Sequence, residues 1–250
     1  LLPFFPIIYS SPYNVIDQLL LRGGFNLDER GKQFERFLYN KLTKGITSYP
    51  IVCVPASKYG SSGNEEEIDV LISMKNVVLL ADAKCIHYSI EPFNYSEAWQ
   101  RLKEGCEQVI RKVEFVKNNP QYFSRLGDFS SKTFIPFVIT NYPTFSGFSH
   151  KGVYVIDSHS FLSYMQSGIM TVKKLTLTID SILGIKKFYQ NEDEFSDNFF
   201  EYLSDNPIKH ELMKRIYIHD LPLAICDDSW RIVSKSAQIK TNSKFNVSNK

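Results

Sequence analysis

The sequence predicts an α/β fold in which a mixed central β-sheet is flanked by helices. Apolar segments of strand length occur at 68–73, 77–85 and 134–140, and amphipathic segments of helix length precede and follow them. The connection at 74–76 is short, which predicts a hairpin between the first two of these strands. With 250 residues, the chain is long enough for one large domain or for a core with a small appendage.

The other elements are assigned from capping residues and apolar spacing. Asp28 is expected to cap a helix that runs to about Thr43. The apolar stripe of that helix consists of Phe34, Phe37, Leu38 and Leu42. Residues 58–64 are expected to form a polar, glycine-rich loop. The remaining predicted elements are strands at 49–54, 153–156, 172–179, 216–224 and 230–238, and helices at 13–21, 95–116, 158–166 and 191–203.

Charge and cysteine content narrow the class of protein. The net charge of +2 neither requires nor excludes a nucleic-acid partner, because phosphate binding needs only local basic charge. The four cysteines form no C-x-x-C pair and have no zinc-like spacing to the histidines, so we expect reduced thiols and a cytoplasmic location. The start, LLPFFPIIYSS, predicts neither a signal peptide nor a membrane span. Because the chain does not begin with Met, we expect residues 1–22 to continue from a missing upstream domain.

Two aspartates and a lysine form the candidate site. Asp82 and Lys84 are two residues apart on one predicted strand, so they share a face of the sheet. If the hairpin loop is Lys75-Asn76, Asp69 lies opposite Asp82 at about 5 Å, and the two carboxylates repel by about 3 kcal/mol at an effective dielectric of about 20. A divalent cation would convert this repulsion into a ligand set, and hard oxygen donors suit Mg²⁺ or Mn²⁺. A loop of odd length would place the carboxylates on opposite faces.

Four motifs follow one another along the chain: RGKQFERFL, EEEIDVLI, LLADAKC and EGCEQVIRK. In this order they resemble the PD-(D/E)XK nuclease superfamily, and within it the Mrr-like restriction endonuclease domains. RGKQFERFL resembles the first helix, with Glu35 at its acidic position, and EEEIDVLI resembles the second strand, with Asp69 as the motif aspartate. LLADAKC resembles the third strand, with Asp82 and Lys84 as its acid and lysine. EGCEQVIRK resembles the following helix, where many members have a glutamine at the position of Gln108. Two departures are an aspartate where glutamate is commoner at 82, and the lack of a proline before residue 69.

The resemblance implies a domain organisation and an activity. Residues 23–168 would form a nuclease-like core of order α-β-β-β-α-β, and residues 169–250 would be a C-terminal accessory region packed on the core or on a partner. The activity implied is Mg²⁺-dependent endonucleolytic hydrolysis of duplex DNA in restriction or anti-phage defence, with Mn²⁺ as a substitute. Repair or recombination is an alternative setting, and RNA cleavage is an alternative activity.

The resemblance also assigns roles to residues. Asp69, Asp82, the Ala83 carbonyl and, directly or through water, Glu35 would hold the metal. Lys84 would orient or deprotonate the attacking water, or stabilise charge in the transition state. The helix face bearing Gln108, Arg101 and Lys112 is expected to meet either the DNA backbone or water.

Several alternatives remain open from the sequence. One alternative is an active nuclease, for which a homodimer or further subunits of a larger defence assembly are the candidate partners. The other is a catalytically inactive nuclease-fold module for nucleic-acid binding or assembly. Glu65, Glu66 and Glu67 are expected to be solvated rather than metal-binding. The acidic helix at 191–203 is expected to lie away from DNA, because its charge repels phosphate.

Overall fold

The computed structural model describes residues 15–16, 19–20, 22–24, 27–44, 47, 49–87, 92–174, 181–204, 216–224 and 231–239. The strands are β1 (Val52–Val54), β2 (Ser57–Ser61), β3 (Asn64–Ile68), β4 (Val70–Ser73), β5 (Val77–Lys84), β6 (Thr133–Thr140), β7 (Ser149–His150), β8 (Val153–Asp157), β9 (Ile169–Lys174), β10 (Ser181–Lys187), β11 (Ile216–Ala224) and β12 (Arg231–Ile239). The helices are α1 (Leu27–Thr43), α2 (Pro92–Asn118), α3 (Ser158–Ser167) and α4 (Glu192–Ser204), with short 3₁₀ segments at Pro120–Leu126 and Pro143–Phe145.

A six-stranded mixed sheet of order β1-β4-β5-β6-β8-β7 forms the centre, which confirms the predicted α/β class. Strands β4 and β5 pair antiparallel, whereas β5, β6 and β8 are parallel to one another. The first five residues of β5, 77–81, are all at most 3% exposed, because helices cover both faces of the sheet. A continuous apolar run of this kind is typical of an interior strand in a parallel arrangement.

Each face of the sheet has its own hydrophobic core. On one face, α1, α3 and α4 pack against alternate residues of the central strands, including Leu79 and Phe137. On the other face, α2 buries Leu102, Cys106 and Val109 against the intervening residues, such as Leu80. Phe37, which was expected in the buried stripe of α1, is 43% exposed and lies beside Lys41 instead. The buried stripe of α1 is therefore narrower than predicted and consists of Phe34, Leu38 and Leu42.

The structure corrects the loop predicted at residues 58–64. This segment forms most of a hairpin in which β2 pairs with β3 through a turn at Ser62-Gly63. A Cβ atom at Gly60 would lie 2.1 Å from the carbonyl oxygen of Asn64, so glycine permits close strand pairing here. The glycines therefore belong to a hairpin rather than to an irregular loop.

Other boundaries differ by small amounts. The first strand is confined to Val52–Val54, and α1 begins at Leu27, one residue before the predicted cap. The strand predicted at 172–179 lies at Ile169–Lys174, and the rest of that range is outside the described residues. Most of the lead-in at 1–22 is also outside them. None of the helices in the described ranges combines the length and the apolar character that crossing a membrane requires.

Candidate active site

The hairpin β4–β5 places the two aspartates next to each other. Val70 pairs with Ala81 and Ser73 with Val78, and the amide of Met74 donates to the carbonyl of Val77 at 2.9 Å. This is the even, two-residue turn that the sequence predicts. Asp69 lies in the bend where the chain leaves β3, which pairs with β2, and enters β4, which pairs with β1 and β5.

Both carboxylates are buried and converge on one ammonium group. Asp69 is 8% exposed and Asp82 is 1% exposed. The Nζ atom of Lys112 lies 3.3 Å from Oδ1 of Asp69 and 2.5 Å from Oδ1 of Asp82. The other oxygen of Asp69, Oδ2, accepts a hydrogen bond from the amide of Ala83 at 2.8 Å. The two aspartates therefore face the same side of the sheet.

Lys84 is held by two groups at the end of β5. Its Nζ lies 2.8 Å from Oδ2 of Asp82 and donates to Oε1 of Gln108 at 2.7 Å. A Cβ atom on Gly105 would lie 3.0 Å from Cε of Lys84 and 3.1 Å from Oδ2 of Asp82. Residues 105, 108 and 112 are spaced to lie on one face of α2, and that face covers the aspartates and the lysine.

Lys112 corrects the interpretation of this helix face. We expected Lys112 to meet the DNA backbone or water, but it is only 5% exposed and points inward to the two carboxylates. The helical wheel separates apolar from polar residues, but it does not show that a polar residue faces buried charges. The signal in the sequence was indirect: two buried carboxylates require compensating charge, and Lys112 is a cation on the covering helix.

One residue of the acidic run before Asp69 departs from the expected solvation, whereas Glu65 and Glu67 are exposed as expected. Glu66, expected to be solvated, has a side chain only 15% exposed and forms an ion pair with Arg111 of α2. Burial raises the pKa of Glu35, and the negative charge of Glu67 raises it further. The positive charge of Lys112 opposes this shift. Glu35 therefore lies within the electrostatic field of the site, and the sequence did not indicate that Glu67 influences it.

Burial and neighbouring charges shift the pKa values of the two aspartates in opposite directions. Burial, reinforced by the charge of Asp82, raises the pKa of Asp69 to about 7. Burial also favours the neutral form of Asp82, but Lys112 and then Lys84 outweigh it, so the pKa of Asp82 is lowered. The pKa of Lys112 is raised because the two carboxylates outweigh the effect of its own burial. Asp82 is therefore the firmly ionised member of the pair.

A second polar cluster fixes the chain just beyond β5. Arg30 of α1 donates from Nη2 to the carbonyl of Ile86 at 3.0 Å and from Nε to Sγ of Cys85 at 3.1 Å. The amide of Ile86 donates to Oδ1 of Asn141 at 2.8 Å. These contacts tie the end of β5 to α1 and to the end of β6, and thereby hold the segment that carries Lys84. No pattern in the sequence indicated them.

The carboxylate oxygens are the kind of donor that suits a divalent cation, but they come from only two side chains. Oδ2 of Asp82 is buried and accepts no hydrogen bond of good geometry from the described part of the chain, although the ammonium of Lys84 is close. Hard carboxylate oxygens that converge in this way suit Mg²⁺ or Mn²⁺. However, among the residues that the structure describes, no three His, Cys, Asp or Glu side chains are grouped to hold a metal, and Lys112 lies between the two aspartates.

Comparisons of this chain with protein-family models, with curated proteins and with solved structures found no match.

Proposed function

We propose that this protein is a Mg²⁺-dependent endonuclease that hydrolyses phosphodiester bonds in DNA, with Mn²⁺ able to substitute. The observation that supports it most directly is the convergence of Asp69 and Asp82 beside Lys84 at the carboxyl end of β5. Two buried carboxylates on one face are costly unless cations compensate them, and a divalent cation would do so while serving the chemistry.

Each residue of the site would have a separate role in the proposed reaction. Asp69 and Asp82 would hold the cation, with the Ala83 carbonyl and Glu35 as further predicted donors. When bound there, a divalent cation would supply polarisation of the scissile phosphate and a more acidic water. Lys84 is fixed by Gln108 and by Asp82, so its ammonium would stabilise negative charge on the phosphoryl oxygens or orient the attacking water. Gln108 would keep that ammonium in place rather than touch the substrate.

The substrate and the setting rest on the resemblance of the motifs. Duplex DNA and a role in restriction or anti-phage defence are part of the proposal, as are a homodimer or further subunits and a contact between Arg101 and the DNA backbone. The acidic helix α4 agrees with a DNA site at the opposite end of the hairpin: Glu192 and Asp193 contact Lys75 and Asn76, at the turn and away from Asp82.

A specific observation favours a second candidate, an inactive nuclease-fold module for nucleic-acid binding or assembly. With Lys84 and Lys112 both beside Asp82, the two aspartates are already neutralised by side chains. A site of this kind is stable without any metal. The module would bind nucleic acid or a partner through its surface and would cleave nothing.

Plasmid cleavage separates the two candidates. The purified protein is incubated with supercoiled DNA and with RNA in Mg²⁺, Mn²⁺ or EDTA, and products are resolved by electrophoresis. Metal-dependent nicking that Asp82→Asn abolishes, and that Asp193→Asn on the exposed surface of α4 leaves intact, supports the nuclease. Binding of DNA without cleavage in any metal would favour the inactive module. Cleavage confined to RNA would change the substrate class.

A further inference from the structure

The ammonium of Lys112 lies where two carboxylates converge. It is within 3.3 Å of Oδ1 of Asp69 and within 2.5 Å of Oδ1 of Asp82, and the residue is 5% exposed. Lys84 also lies beside Asp82, but it has a second anchor in Gln108. Within the described part of the chain, the hydrogen bonds of the Lys112 ammonium go only to the two aspartates. Its position is therefore set by these carboxylates.

A divalent cation and this ammonium cannot occupy the same place. The Oδ1 atoms of Asp69 and Asp82 would serve both, and two positive charges a few ångströms apart in a buried site repel strongly. The lysine side chain has four flexible methylene groups, and within the described part of the chain its ammonium donates only to these two carboxylates, so its withdrawal would break no other hydrogen bond. The carboxylates are then compensated by a cation both before and after the exchange.

We propose that Lys112 is a resident cation of the site, and that a divalent metal binds only by displacing its ammonium from Asp69 and Asp82. This inference rests on the proposed metal-dependent function. Lys112 is a positioning residue: it keeps the two carboxylates together in the metal-free protein and sets the metal concentration at which the site fills. Removing its charge should tighten metal binding rather than weaken it.

The test measures metal binding directly, by titrating Mn²⁺ into the full chain and following free Mn²⁺ by electron paramagnetic resonance. Lys112→Met removes the charge and conserves the length of the side chain. Lys117→Met is the matched control, because Lys117 is on the same helix with a 48% exposed side chain that pairs with Glu114. We expect Lys112→Met to bind Mn²⁺ about tenfold more tightly than the wild type, or more, and Lys117→Met to bind like the wild type.

Thermal unfolding with EDTA or Mn²⁺ is the second measurement. Lys112→Met should melt below the wild type in EDTA and regain stability in Mn²⁺, because the metal replaces the missing charge. If the variant does not fold in EDTA, Mn²⁺ must restore folding, and failure in both conditions would overturn the inference. Equal or weaker Mn²⁺ binding by Lys112→Met would overturn it as well.

The outcomes also separate this inference from the proposed function. A wild-type protein that cleaves DNA, with Mn²⁺ affinity unaffected by Lys112→Met, contradicts the inference alone. Tight Mn²⁺ binding by Lys112→Met, with no cleavage by the wild type in saturating metal, supports the inference and contradicts the nuclease. Absence of Mn²⁺ binding in both proteins contradicts both.

Discussion

At each end of the β4–β5 hairpin a lysine pairs with an aspartate, but one pair is exposed and the other is buried. At the turn, Lys75 pairs with Asp193 at 3.1 Å, and both side chains are 57% exposed. At the open end, Lys112 pairs with Asp82 at 2.5 Å, and the side chains are 6% and 1% exposed. Water screens the exposed pair and solvates its charges. In the buried pair, each charge must be compensated by its partner instead of by water. The difference shows that burial, rather than pairing, distinguishes a candidate site from an ordinary surface ion pair.

The largest effect should come from Lys84, to which the proposed function gives a role in the chemical step. We expect Lys84→Ala to lower the rate of DNA cleavage by about 10²–10³-fold, because in the proposed function its ammonium would act mainly on the transition state. Binding of a labelled duplex should remain near the wild-type affinity, since many phosphate contacts share it. Single-turnover cleavage and a gel-shift titration measure the two quantities. Cleavage at the wild-type rate would remove Lys84 from the mechanism.

The next effect concerns the stability of the buried end. In EDTA, Lys112→Met should lower the free energy of unfolding by about 3 kcal/mol, because it leaves two buried carboxylates facing each other. Urea unfolding followed by circular dichroism measures the change. A loss below about 1 kcal/mol would mean that the buried end behaves like the exposed one.

The pH dependence should also distinguish the two ends. Burial raises the pKa of Asp69 to about 7 in the folded protein, above its ordinary value of 3.8. The folded state then binds more protons than the unfolded state between about pH 4 and pH 7, so this carboxyl makes the protein less stable as the pH rises through that window. In EDTA, the free energy of unfolding of Asp69→Asn minus that of the wild type should therefore increase from pH 4 to pH 8, because only the wild type loses this stability. The same comparison with Asp193→Asn is the control, and a gain that shrinks with rising pH would contradict the assignment.

A smaller effect is expected from the helix that covers the site. Gly105→Ala places a Cβ atom about 3 Å from Lys84 and Asp82, so both side chains must shift by a few tenths of an ångström. We expect a loss of about tenfold in cleavage rate, with stability unchanged or raised by up to about 1 kcal/mol from helix propensity. Gly31→Ala on α1, where an added Cβ meets nothing within 4 Å, should raise stability without changing cleavage. Unaltered cleavage by Gly105→Ala would show that the close approach has no functional consequence.

The smallest effect should be at the turn. Lys75→Met removes an exposed ion pair with Asp193 and should change the free energy of unfolding by less than about 1 kcal/mol. The measurement is the same urea titration that is used for Lys112→Met. A larger loss would show that the contact between the turn and α4 stabilises the protein more than its exposure suggests.

Much of the fold could be predicted because its signals are local. The apolar run of β5, the amphipathic spacing of α2 and the short connection at Lys75-Asn76 each involve neighbouring residues, and the structure contains all three. The β2–β3 hairpin was missed because its glycines and serines resemble a loop, and only the pairing of its two strands shows why Gly60 is there.

The sequence by itself determined that Asp82 and Lys84 share a face of their strand, because side chains alternate with a period of two. It placed Asp69 on that face only on the condition of a two-residue turn, which the structure contains. Only the tertiary structure decided that Lys112, rather than solvent, lies between the two aspartates. The physical reason is that periodicity assigns a residue to a face of its own element, but the docking of α2 on the sheet decides what that face meets. The same docking buried the carboxylates and supplied the charge that compensates them.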